Sequence, residues 1–74
     1  MHIMLNSVNA VKDFVNIVNK YDFDIDLVSG RHVIDAKSIM GIFSLDLTKA
    51  VEVIVSEDAH NVKLFLDEIK PFTT

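Results

Sequence analysis

Two hydrophobic periods alternate along this chain, and their order is the strongest constraint on its fold. Val8, Val11, Phe14, Val15 and Val18 recur at helical spacing, with Asn9, Lys12, Asp13, Asn16 and Asn19 on the other side. That pattern predicts a helix with one apolar stripe. Phe23, Ile25 and Leu27 then alternate with Asp24 and Asp26, the two-residue period of a strand with one buried and one wet face. Ser29-Gly30 marks a turn, and His32 to Ala36 supply the returning strand of a hairpin. Val51, Val53 and Val55 alternate with Glu52 and Ile54, a further strand rich in β-branched residues.

The remaining elements are shorter. Met1 to Leu5 are apolar apart from His2 and predict a brief N-terminal strand. Asn6 or Ser7 can cap the first helix by accepting from the free amides of its first turn. Valine and asparagine are mediocre helix formers, so that helix depends on burying its stripe. Ser38 to Leu45 form a helix too short and too apolar to be surrounded by water, with Ile42 and Leu45 inward and one side exposed. Ser56 or Asp58 begins a last helix, with Glu57 and Asp58 as favourable negative charge at its N-terminus. Its apolar positions are Ala59, Val62, Phe65, Leu66 and Ile69, and Pro71 lies just past its end.

The order is β-α-β-β-α-β-α. It predicts an α+β, two-layer open-faced sandwich, a four-stranded antiparallel sheet with three helices on one face. The expected core holds Val8, Val11, Val15, Ile25, Leu27, Ile34, Val53, Val62, Leu66 and Ile69. Residues 1–74 read as a single domain without linker or repeat. A chain this short buries only a little over about 60% of its unfolded surface. With half its residues apolar and no cysteine, packing must supply the stability that disulfides cannot.

Composition narrows the function. A net charge of −4, with seven scattered basic residues, disfavours nucleic acid as a partner. No apolar run approaches the roughly 18 residues of a membrane span, so membrane insertion is not expected and a cytoplasmic protein is. Two distant glycines cannot build a phosphate-cradling loop. The aspartates Asp22, Asp24, Asp26, Asp35 and Asp46 lack calcium-loop spacing, and Glu57 to Glu68 hold no metal-ligand cluster. No metal, cofactor or enzymatic activity is expected.

Asp35-Ala36-Lys37-Ser38-Ile39-Met40-Gly41-Ile42-Phe43-Ser44-Leu45 carries the most specific signal. It resembles the segment of the HPr phosphocarriers, of the phosphoenolpyruvate-dependent sugar phosphotransferase system, that bears a regulatory serine at the start of a short helix. The resemblance covers nearly the whole chain and is strongest from Asn19-Lys20-Tyr21-Asp22 through Leu45, without a gap. It implies the same β-α-β-β-α-β-α fold.

The catalytic half of the family pattern is missing. Carriers have a phosphorylatable histidine followed by Ala-Arg-Pro at the head of the first helix. Stepping back from Ser38 places Ser7 at the histidine position, Asn9 at the arginine position and Ala10 at the proline position, to within a residue, because the preceding loop is several residues shorter. His2, His32 and His60 all lie elsewhere, none followed by Arg-Pro. A carrier needs an imidazole to attack phosphorus, and a serine with no base beside it is a poor nucleophile. Ser7 reads first as a plain helix cap.

By resemblance, Ser38 is the site modified by the HPr kinase/phosphorylase, where added negative charge meets helix amides, with Lys37 adjacent. A cap serine that is never modified is the alternative. Ile39, Met40 and Phe43, again by resemblance, form the apolar patch where transferring enzymes and regulators dock. The sequence therefore points to a regulatory binding module that meets the HPr kinase/phosphorylase or a catabolite-repression regulator, with Enzyme I a further partner. The alternatives are a working carrier in sugar transport, and a structural paralogue whose patch is a self-association surface.

Overall fold

The structure is a computed structural model that describes residues 1–56 and 61–74. Its strands are β1 (His2–Ile3), β2 (Ile25–Ser29), β3 (His32–Asp35) and β4 (Val51–Val55). Its helices are α1 (Val8–Val18), α2 (Ile39–Phe43) and α3 (Val62–Glu68), followed by a 3-10 turn at Lys70–Phe72. The sheet order is β1-β4-β2-β3, with every neighbouring pair antiparallel.

Register divides the sheet into two faces. Leu27 lies opposite both Val53 and Ile34, Ile25 opposite Val55, and Ile3 opposite Val51. Partners across an antiparallel ladder point the same way, so these residues line one face. There Ile3, Ile25, Leu27, Val51 and Val53 join Val11, Phe14, Val15, Val18, Ile42 and Phe65 from the three helices in one core. The opposite face carries His2, Asp26, Val33, Asp35, Glu52 and Ile54 and stays open. The predicted open-faced sandwich is the observed one.

Local chemistry sets the element ends. Ser7 is extended (φ −150°, ψ 160°), and its Oγ accepts from the Ala10 amide at 3.0 Å, capping α1. The β2–β3 hairpin pairs Ser29 with His32, leaving Gly30 and Arg31 as its two turn residues. Gly30 takes a φ of +59°, which the right-handed strand twist needs at that position and which glycine supplies without strain.

Five expectations need correction. Val8 is 55% exposed rather than in the core. As the first helical residue it lies one turn before the buried stripe of Val11, Phe14, Val15 and Val18 begins. Ile34, Val62 and Leu66 are half-buried, and the fully buried anchor of α3 is Phe65. The last helix, as described, starts at Val62 after a left-handed Asn61 (φ 60°), so Ser56 does not begin it. The expectations for Glu57, Asp58, Ala59 and His60 lie outside the described residues.

One feature of the chain end had no periodic signal. Ile3 bridges Thr73, the Met4 amide donates to the Phe72 carbonyl at 2.8 Å, and Phe72 packs edge-on against Phe14 at 5.8 Å between ring centroids. The 3-10 turn containing Pro71 redirects the chain so that Thr73 can meet β1.

Candidate functional site

The residues singled out by sequence gather around α1 and α2. Ser38 is the N-cap of α2, exposed, with its Oγ 3.1 Å from the Gly41 amide that donates to it. A β-carbon on residue 41 would lie 3.1 Å from that same oxygen, a tight contact. Upstream, the Lys37 amide donates to the Asp35 carboxylate at 2.9 Å and the Ser38 amide to the Asp35 carbonyl at 2.9 Å. These bonds fix the approach into the helix. The helix stops at once: the Ser44 hydroxyl donates to the Gly41 carbonyl at 2.5 Å.

A helix of five residues can bury only one side. Ile42 goes inward, fully buried, while Met40 is 77% and Phe43 42% exposed. Ile39 departs from expectation. It is half-buried and packs against the core, so of the three patch residues it is the least available.

At the other end of α2 a hollow of about 310 Å³ opens toward the head of α1. Leu5, Asn6, Ser7, Val8, Phe43, Leu47 and Thr48 line it. Asp46 holds the lining residue Thr48: its Oδ1 accepts from the Thr48 amide at 3.1 Å and the Thr48 hydroxyl at 2.5 Å. These two bonds hold the Asp46 carboxyl below the usual carboxylate range. Val8 and Leu47 were not legible as surface residues. The available signal was that Val8 follows directly on a serine cap, so its side chain leaves the helix where the layer beneath it ends.

Ser7 and Asn9 are both exposed at the head of α1, and Ala10 is half-buried. The Ser7 hydroxyl oxygen accepts from the Ala10 amide. His2 lies in β1 opposite Glu52, on the open face, and His32 at the β2–β3 hairpin. Neither stands at the helix head, and His60 lies outside the described residues.

A second polar group lies on the far side of the molecule. Glu68, at the end of α3, accepts from both the Tyr21 hydroxyl and the Lys20 ammonium. Tyr21 is pushed up to about 12, first by burial and then by its bond to the Glu68 carboxylate, while Glu68 is held below its ordinary value by Lys20 and then Tyr21. The network ties α3 to the turn after α1. It flanks an open cleft of about 520 Å³ whose lining includes Asp22, Phe23 and Leu64.

The chain is thus a four-stranded open-faced sandwich with a capping serine and exposed apolar side chains on its second helix. The family model for the PTS HPr component phosphorylation site matches residues 7–74, and the chain belongs to this PTS-HPr family. Two solved structures share the fold. HPr-C-His from Thermoanaerobacter tengcongensis superposes with a TM-score of 0.73 at 23% identity, over 93% of this chain and 84% of that one. Crh of Bacillus subtilis, a catabolite repression protein described as a swapped dimer, gives 0.68 at 24% identity, over 93% and 78%. No curated protein matches the sequence.

Proposed function

We propose that this HPr-family protein is a regulatory binding module and not a histidine phosphocarrier. The observation that carries the reading is Ser7. The residue in line with the family's phosphohistidine is a serine, which has no imidazole to attack phosphorus and whose hydroxyl oxygen accepts from its own helix at the Ala10 amide. Asn9, in the arginine position, brings no cation to hold a phosphoryl group. The protein then acts in the cytoplasm by meeting other proteins rather than by catalysis.

Ser38 supplies the switch in this reading. Its exposed hydroxyl caps a helix, beside an exposed Met40 that gives a kinase an apolar handle. Phosphate there exchanges water for helix amides and changes the charge of the docking patch more than the fold. The partners are the HPr kinase/phosphorylase and a catabolite-repression regulator, docking through Met40 and Phe43 with Ile39 in support.

Two incubations test it, each read by intact mass and fragment mapping. With ATP and the HPr kinase, one phosphoryl group on Ser38 is expected. With phosphoenolpyruvate and Enzyme I, no modification is expected. Label on a histidine with the second pair makes the protein a carrier, and no label with either makes it a structural paralogue.

A further inference from the structure

The regulatory reading makes no use of the chain end, although Phe72, Thr73 and Thr74 return to the first strand. We propose that this end is an edge guard: it occupies the outer edge of β1 and so keeps two copies of the chain from joining strand to strand. Released from the guard, that edge is a pairing surface for a second copy.

The edge needs protection. β1 lies at the border of the sheet, with β4 on its inner side. No acidic residue, lysine or arginine stands between Met1 and Leu5. An uncharged, mostly apolar strand with unpaired backbone groups is a template for another strand. Antiparallel pairing needs only the same edge twice, related by a two-fold axis, so a second copy is self-complementary to it. The opposite border is defended by other means: β3 carries exposed Asp35, and a charge on an edge strand discourages pairing.

The chain end closes the β1 edge by its backbone. Toward β4, the Met1 carbonyl accepts from the Val53 amide at 2.8 Å. On the outer side, the His2 carbonyl accepts from the Thr74 amide at 3.3 Å, and the Met4 amide donates to the Phe72 carbonyl at 2.8 Å. Between these two bonds Ile3 and Thr73 pair antiparallel. A strand from another molecule would need the same two groups. Phe72 holds the guard down, packed on the core and edge-on to Phe14. Thr73 and Thr74 are exposed. Without Phe72 the guard is therefore two hydrogen bonds open to competing water, which alone are weak.

Three proteins test this: the unaltered chain, Phe72→Ala and Thr74→Pro. Proline at position 74 removes the amide that donates to His2, and the extended backbone of Thr73 (φ −69°, ψ 147°) already suits a residue before proline. Amide exchange followed by NMR reads the guard at Met4, and sedimentation at rising protein concentration reads association. The unaltered chain should stay monomeric with Met4 protected. Phe72→Ala should speed Met4 exchange at least about tenfold relative to the core amides of α1, and should dimerise as concentration rises. Thr74→Pro should do both to a smaller extent.

A monomeric Phe72→Ala whose Met4 amide exchanges freely would overturn the guard, because the open edge then attracts no second copy. A dimer of the unaltered chain with Met4 still protected would also overturn it, since the contact then lies elsewhere. Equal acceleration at Met4 and throughout α1 would reduce Phe72 to an ordinary core residue and remove the case for a guard. Should Phe72→Ala fail to fold, Thr74→Pro decides by the same two readings.

Discussion

The Ser38 hydroxyl and the Gly41 backbone are fitted to each other: the oxygen accepts the Gly41 amide at 3.1 Å, and a side chain on residue 41 would begin 3.1 Å from that oxygen. A methyl group at residue 41 of the Lys37-Ser38-Ile39-Met40-Gly41 run would press on that oxygen, although α1 accommodates Ala10 at the equivalent position under its Ser7 cap. Gly41→Ala should gain less in urea denaturation than the roughly 1 kcal/mol of an unhindered helix-interior change, because the cap must shift to admit the methyl group. A full gain would show that the cap is loose.

Ser38→Ala removes both the acceptor for phosphate and the cap. Loss of kinase labelling should come with a destabilisation of about 1 kcal/mol, the usual cost of an N-cap serine. Met40→Asp, at a side chain 77% exposed, should weaken kinase docking and leave thermal stability nearly unchanged.

Val8 and Val11 are the same residue type one turn apart on α1, at 55% and 0% exposure. Val11→Ala should cost on the order of 2–3 kcal/mol for two lost methyl groups and the cavity they leave. Val8→Ala should stay within about 0.5 kcal/mol. In α3 the anchor is Phe65, so Phe65→Ala should cost about 3–5 kcal/mol and half-buried Leu66→Ala clearly less. Equal losses at either pair would contradict the packing described.

Those pairs show what the sequence could and could not say. Period found the strands, because Ile25/Leu27 and Val51/Val53 each need one buried face, but it gave no register between them and began β2 two residues early, at Phe23. It assigned α1 its stripe but carried that stripe one turn too far, since Val8 obeys the helical spacing while the packed layer beneath it ends. The Ile3–Thr73 bridge was invisible, because a single pairing between distant residues leaves no period. Ser38 was legible as a cap from its own type and place. The hollow was not, because it is formed by Leu5, Val8, Phe43 and Leu47 from three separate stretches of chain.

The Glu68 network makes stability depend on pH at both ends. Glu68 has a folded pKa below its ordinary 4.5, so its contribution is present above that value and is lost as pH falls through the lowered one. Tyr21 is raised from 10.0 to about 12, so its contribution is present below pH 10 and is lost as pH climbs toward 12. Urea midpoints measured across pH should fall at both ends. Tyr21→Phe should reduce the alkaline fall, and Glu68→Gln should reduce both falls, leaving on the acid side the share that belongs to Asp46.

Restoring the histidine should not restore a carrier. Ser7→His supplies an imidazole at the α1 head, but Asn9 still gives no cation and the loop before it remains short. Labelling of Ser7→His by Enzyme I should stay far below stoichiometric in a filter assay. Rapid full labelling would mean that the serine was the only defect.

The most direct test is the intact mass of the unaltered protein after incubation with phosphoenolpyruvate and Enzyme I, with a known HPr carrier labelled in the same tube. The carrier should gain one phosphoryl group while this protein's mass stays unchanged, because a capping serine stands where the imidazole is needed. An acid-labile phosphoryl group on His2, His32 or His60 would contradict the account and make this protein a carrier by another route.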